Sequence, residues 1–280
     1  MNFASKYSIG TRIGRGYSGI VFDCISRNNG DKYACKIISG KQGFERNNRE
    51  LAILENLNHS NINPVKEVFY KNDGKPYTNI VVSELAHGDI FDYVEENTIT
   101  EDIAKHIIKQ LTEGVNYLHA NNVCHSDLKL QNILYVDNVK RNYEINHKDL
   151  PENYQHDFKN IDIKLIDFEF SKYTHENGVR KELTGRSGTI SYMAPEMLKK
   201  ESYCELVDMW SLGVITYSLL FNIYPIQYTK IEVPESFNIN YSNLPIVSDL
   251  ALDFTKNLLV EDPNCRMTSQ EALRHEWLQA

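Results

Sequence analysis

An α+β architecture, with a small β-rich N-terminal part and a larger, mainly helical C-terminal part, is predicted by three observations. Short β-branched runs separated by turn signals fill most of the first 84 residues. A single amphipathic helix interrupts them. From about Asp89 onward the apolar period lengthens from that of a strand to that of a helix.

The strands come first. A β-prone segment leads into Gly14-Arg15-Gly16-Tyr17-Ser18-Gly19-Ile20-Val21, and the runs Ile20 to Ile25, Tyr33 to Ile38, Val65 to Tyr70 and Asn79 to Glu84 follow. Asn28-Asn29-Gly30-Asp31 and Asn72-Asp73-Gly74 supply turns between them. Within Glu45 to Leu57, the residues Leu51, Leu54 and Leu57 recur at helical spacing. Beyond a join near Glu84 to Gly88, Thr100 is placed to cap a helix whose first turn carries Glu101 and Asp102. Ile103, Ile107, Leu111, Val115 and Leu118 form its apolar stripe. Further helices are predicted over Val207 to Phe221 and Ser248 to Leu259, and a last one opens with the capping-box spacing of Thr268 and Glu271. The polar stretch from Tyr135 to Asp162 reads as a long surface loop.

Composition narrows the function. A net charge of -8 argues against nucleic acid and against an anionic membrane as partners. Five cysteines without a C-x-x-C pair suit reduced thiols. The start lacks a signal peptide, and Asn2 stands where N-myristoylation needs glycine. The apolar stretch Trp210 to Pro225 is interrupted by Ser211, Gly213, Thr216, Ser218 and Asn222, so it reads as a buried helix rather than a membrane span. A cytoplasmic protein is expected, with access to the nucleus left open.

Several residues carry chemistry only in combination. Gly14, Gly16 and Gly19 let backbone amides approach phosphate oxygens, yet a glycine-rich turn is ordinarily just a turn. Lys36 on a strand and Glu50 on the following helix are ordinarily exposed; paired, they would hold an ammonium against phosphates. Asp127 and Asn132, in His125-Ser126-Asp127-Leu128-Lys129-Leu130-Gln131-Asn132, and Asp167, in Asp167-Phe168-Glu169, supply hard oxygen ligands and a proton acceptor. Each loop aspartate alone reads as a turn cap.

The ordered series is more specific than its parts. With Gly188-Thr189-Ile190-Ser191-Tyr192-Met193-Ala194-Pro195-Glu196, Asp208-Met209-Trp210-Ser211-Leu212-Gly213 and Asp262-Pro263 followed by Arg266, it resembles the protein-kinase family over nearly the whole chain. The resemblance implies a bilobal kinase fold: an N-lobe over 1–83, a hinge over 84–88 and a C-lobe over 89–280 with an insertion around 135–162. It implies ATP and magnesium, with manganese as an alternative ion. Backbone amides around Tyr17 and Ser18 would cover the phosphates, and Lys36, held by Glu50, would contact the α and β groups. Asp167 and Asn132 would hold the metal. Asp127 would accept the hydroxyl proton, and Lys129 would steady the transferring group. Ile13, Val21, Ala34 and Leu134 would sandwich adenine, Glu84 and Ala86 would bond it through their main chain, and Ser83 would be a small gatekeeper in front of a deeper pocket. Lys129 and Thr189 resemble the serine/threonine class, and the closing Tyr-Met-Ala-Pro-Glu resembles the calmodulin-dependent and AMP-activated group. A protein substrate and a monomeric state are expected; the regulator is not legible.

Three departures bear on activity. Ser126 replaces the arginine that in the family binds a phosphorylated activation loop, and Gly185 occupies the usual acceptor position. Activity without phosphorylation there is expected, with Thr184 and Ser187 left as autophosphorylation sites. Glu169 stands where the family has glycine, which keeps a nucleotide-binding pseudokinase scaffold as the alternative. A small-molecule phosphotransferase is disfavoured by the Ala-Pro-Glu segment. Asp89, with Gln131 at a second such position, is placed to favour basic substrates weakly.

Overall fold

Alternating side chains along paired strands sort the N-terminal residues onto two faces. The computed structural model describes residues 2–16, 19–70, 78–145, 157–226 and 237–280. A short helix α1 (Phe3–Lys6) precedes β1 (Tyr7–Arg15), β2 (Gly19–Ser26) and β3 (Lys32–Ser39); then follow helix α2 (Lys41–Leu54), β4 (Val65–Tyr70) and β5 (Thr78–Glu84). The strands form one antiparallel sheet in the order β1-β2-β3-β5-β4. Val21 lies opposite Lys36, and Ala34 opposite Ser83, so these four residues share a face. Phe22, Cys35 and Val82 point the other way, into an apolar cluster with Phe3, Tyr7, Cys24, Phe69 and Ile80. On the Lys36 face, Ile38 and Val81 pack with Leu51 of α2.

The helical part opens with β6 (Gly88–Asp89), α3 (Ile90–Glu96) and α4 (Glu101–Ala120), followed by β7 (Val123–Cys124), β8 (Ile133–Asp137), α5 (Asn138–Ile145) and β9 (Ile161–Leu165). Strand β10 (Lys172–Tyr173) pairs with β7, and β11 (His175–Glu176) with β12 (Val179–Arg180). Helices α6 (Pro195–Leu198), α7 (Leu206–Phe221), α8 (Asp249–Leu258), α9 (Ser269–Arg274) and α10 (Glu276–Gln279) complete the chain. Thr100 caps α4 by accepting the Ile103 N–H, and Ile107, Leu111, Val115 and Leu118 are buried as the stripe predicts. Ser248 caps α8, and Thr268 with Glu271 closes a full capping box. Helix α7 is apolar on every side and buried from Val207 to Phe221, which makes it the axis of the main core. A Cβ on Gly213 would come within 2.9 Å of Leu258 and Leu259, so glycine lets α7 and α8 touch.

Two local expectations change. Helix α2 starts earlier and stops at Leu54, leaving Leu57 outside it. The stretch 135–162 is not one long loop, because its flanks are ordered by pairing. Tyr135, Val136 and Asp137 pair with Ile163, Asp162 and Ile161 in the β8–β9 ladder, and Asn138–Ile145 is helical. Residues 146–156 lie outside the described residues. Among the described residues all five cysteines are free, and no helix is long and apolar enough to cross a membrane.

Candidate active site

Lys36 sits on the sheet face that meets α2, and Glu50 is on the inward side of that helix. Their side chains approach to 3.7 Å, with Glu50 buried. Burial alone would pull the Lys36 pKa down, but the carboxylates of Glu50, Asp167 and Glu169 outweigh it and leave the ammonium held above its ordinary range. Glu50 also accepts the Phe168 N–H at 3.2 Å. One carboxylate therefore links the sheet lysine to the segment that carries Asp167.

The glycine turn lies over this lysine. The Gly16 N–H donates to the Gly19 carbonyl at 3.0 Å, and a Cβ on Gly16 would lie 3.9 Å from the Lys36 Cε. Gly19 is required by the sheet itself, since a Cβ there would meet the Ile37 carbonyl oxygen at 2.4 Å. Gly14 and Gly16 meet no such obstacle, so their missing side chains serve space above the sheet rather than strand packing. Tyr17 and Ser18 lie outside the described residues. Ile13 is half exposed, Val21 and Ala34 are partly buried on the Lys36 face, and Ser83 ends the same row beside Glu84. Leu134, on β8, pairs with Asp89 just beyond Ala86.

A second group converges on Asp127, which is almost fully buried. Its Oδ2 accepts Lys129 Nζ at 2.8 Å and Asn132 Nδ2 at 3.2 Å. Its Oδ1 accepts the Thr189 N–H at 2.9 Å and the Thr189 hydroxyl at 3.3 Å. Lys129 reaches Thr189 Oγ1 as well, at 3.1 Å. Gly188 makes this possible: its φ is +99°, and a Cβ would strike the Ser126 carbonyl at 2.7 Å and Asp127 Oδ1 at 2.9 Å. The two groups are joined through main chain, as the Ile166 N–H donates to the Asn132 carbonyl at 3.1 Å.

Asp167 follows directly, in the left-handed region at φ 64°. Its Oδ1 is buried with no hydrogen-bond partner among the described residues. A buried carboxylate oxygen so placed favours a hard cation. Asn132 spends its amide nitrogen on Asp127, at 2.9 Å to the carbonyl, which leaves the oxygen end as a neutral hard donor. Among the described residues no group of three or more His, Cys, Asp or Glu is arranged for a metal. A carboxylate and an amide are instead the sparse set that suits magnesium, which keeps waters and takes phosphate oxygens as its remaining ligands.

Sequence reasoning assigned no role at the site to two residues that the structure places in it. Thr189, noted there only as a class marker, is one. Asp208 is the other: from the start of α7 its two oxygens accept the His125 and Ser126 N–H groups, each at 2.8 Å, and His119 lies at 3.0 Å. A charged residue opening an otherwise apolar helix was the available signal. Burial would raise the Asp208 pKa, but the His119 hydrogen bond, the His119 and His125 charges and the His125 N–H lower it overall. A folded-state pKa below the unfolded one gives stability that is complete above the ordinary value of 3.8 and lost as pH falls through the lower folded value. Asp208→Asn is therefore expected to destabilise the fold at neutral pH and to flatten the acid limb of unfolding midpoint against pH; an unchanged limb would rule the contribution out. Asp89, which the sequence places to favour basic substrates weakly, also caps α3 by accepting the Asp92 N–H at 2.9 Å.

The family model described as protein kinase domain matches residues 7–278. Death-associated protein kinase 2 of Mus musculus is 33% identical over 287 residues, covering 97% of this chain and 71% of the relative. A probable myosin light chain kinase of Dictyostelium discoideum is 34% identical over 284 residues, covering 97% and 66%. Ribosomal protein S6 kinase 2 alpha of Gallus gallus is 30% identical over 289 residues, covering 99% and 35%.

Proposed function

The chain belongs to the protein kinase family, and from that premise we propose that it is an active serine/threonine kinase, moving the γ-phosphoryl group of ATP to protein hydroxyls without prior phosphorylation of its own activation segment. The observation that carries the reading is the setting of Asp127: a buried carboxylate oriented by four donors, with Lys129 bridging it to Thr189. Asp127 takes the proton from the incoming hydroxyl, and Lys129 neutralises charge that grows on the transferred group. Lys36, fixed by Glu50, holds the phosphates on the other side. Asn132 and Asp167 would hold magnesium, which when bound would supply neutralisation of the phosphate charge. Positioning of this kind supplies most of the rate in phosphoryl transfer.

Ties within the activation segment support independence from phosphorylation. Lys172 Nζ donates to the Thr184 carbonyl at 2.8 Å and to Tyr203 Oη at 2.7 Å. Leu183 and Tyr203 exchange main-chain bonds at 2.9 Å each, and Arg186 Nε donates to the Leu198 carbonyl at 3.1 Å. Lys172 and Arg186 are thus each engaged by neutral oxygens rather than by a phosphate. Of the two hydroxyls left as autophosphorylation sites, Ser187 Oγ is buried, whereas Thr184 is exposed.

The test is phosphate transfer from ATP and magnesium to a generic basic protein. The unmodified chain and Thr184→Ala, each confirmed unphosphorylated by mass spectrometry, are expected to turn over within about twofold of one another, since a surface substitution is worth only a few tenths of a kcal/mol. Activity that appears only after Thr184 is phosphorylated would overturn the independence. Glu169, buried beside Asp167, favours the scaffold reading instead. Nucleotide binding with no transfer to any protein would establish that alternative.

A further inference from the structure

Helix α5 belongs to the stretch that the sequence presents as a polar insertion, and it touches the chain at the join between the sheet and the helical part. Arg141 faces Glu84 with both terminal nitrogens, Nη2 to Oε1 at 3.1 Å and Nη1 to Oε2 at 3.4 Å. One turn on, Glu144 Oε2 lies 3.6 Å from His87 Nε2. Arg141 and Glu144 are three apart, hence on one side of α5. Glu84 and His87 are also three apart, and they flank Leu85 and Ala86. A cation meets an anion at one end and an anion meets an imidazole at the other, so the helix can lie along this stretch in one direction only.

His87 is the better fixed end. Its N–H donates to the Tyr135 carbonyl at 3.0 Å, and its Nδ1 accepts the Asp137 N–H at 3.0 Å. That second bond puts the ring proton on Nε2, toward Glu144. Asp137 in turn accepts the Lys140 N–H at 3.0 Å, which ties the first turn of α5 to the same strand end. A Cβ on Gly88 would stand 2.9 Å from Tyr135, so main chain and β8 are already in contact there.

We infer that α5 is a clasp on residues 84–87, and that Arg141 is a positioning residue for nucleotide binding. The inference rests on the proposed function, in which the main chain of Glu84 and Ala86 receives adenine. A stretch held at both ends before the ligand arrives loses less freedom on binding, and the gain appears in affinity rather than in the chemical step. Because the Arg141–Glu84 pair is partly exposed, its effect is bounded.

The experiment is a charge swap, read by the Kd of a non-hydrolysable ATP analogue and by KM for ATP against kcat. Arg141→Glu alone and Glu84→Arg alone are each expected to raise Kd and KM about two- to fivefold, the range a partly exposed pair allows, with kcat little changed in Arg141→Glu. The double variant is expected to recover most of that loss, which a merely structural surface residue would not do. Single variants with unaltered Kd, or a double variant no better than the singles, would overturn the clasp while leaving the kinase reading intact. An unmodified chain that does not bind the analogue would overturn both.

Discussion

Asp127→Asn is expected to lower turnover on a protein substrate by about 10²- to 10⁴-fold, the usual worth of a positioned acid–base group. Binding of ATP is expected to stay near that of the unmodified chain, because Lys36 and Glu50, the pair proposed to hold the phosphates, are bonded to each other rather than to Asp127. The substitution keeps volume and removes the one function an amide cannot supply, acceptance of a proton. It also places an amide nitrogen where Asp127 now receives donors from Lys129, Asn132 and Thr189, so some loosening of the segment at Thr189 is expected alongside. The check is a rate measured under saturating ATP together with a nucleotide titration. Turnover within tenfold of the unmodified chain would remove Asp127 from the catalytic role, and with it the main support for the reaction proposed.

Arg266→Ala is expected to cause the largest loss of stability. The Arg266 guanidinium is fully enclosed and forms a two-pronged bond to Glu196 at 2.8 and 3.0 Å. It also donates to the carbonyls of Leu206, Val260 and Glu261, and stacks over Trp210 at 5.3 Å. Truncation would leave the Glu196 carboxylate buried without its partner, and removing one half of such a pair costs about 3–5 kcal/mol. At about 2–4 °C per kcal/mol for a chain near this size, the thermal midpoint should fall by roughly 10 °C. Arg266→Lys keeps a charge but loses the fork and the stack, so an intermediate loss is expected. A midpoint that moves by less than about 3 °C, the shift expected for roughly 1 kcal/mol, would show that the pair is not what holds α6 against the α7–α8 core.

The elements legible in the sequence are those whose signals are local. The sequence run Val65 to Tyr70 has the bounds of the observed strand, and the caps at Thr100 and Thr268 sit where spacing puts them. A cap needs only a side chain and an N–H three residues on, so nearby residues suffice to specify it. The same holds for the stripe of α4. By contrast, the stretch after Tyr135 reads as loop because it is polar and rich in Asn, Lys and Asp. Pairing with β9 and contact with Glu84 stabilise what propensity alone leaves undecided.

Ordered motifs in this chain carry by themselves the resemblance to the protein-kinase family, and that resemblance is what singles out Lys36, Glu50, Asp127, Lys129, Asn132 and Asp167 as candidates. Only the tertiary structure decided what each touches. Glu50 meets the Phe168 N–H 118 positions away, Thr189 closes on Asp127 across 62, and Asp208 holds the His125 N–H across 83. It also decided that the Ser187 hydroxyl oxygen is enclosed while Thr184 is exposed, and that an apparent loop reaches the join between the two parts. Contacts at such separations depend on how helices and sheet pack against each other, and packing is a property of the whole apolar surface rather than of any short run of residues.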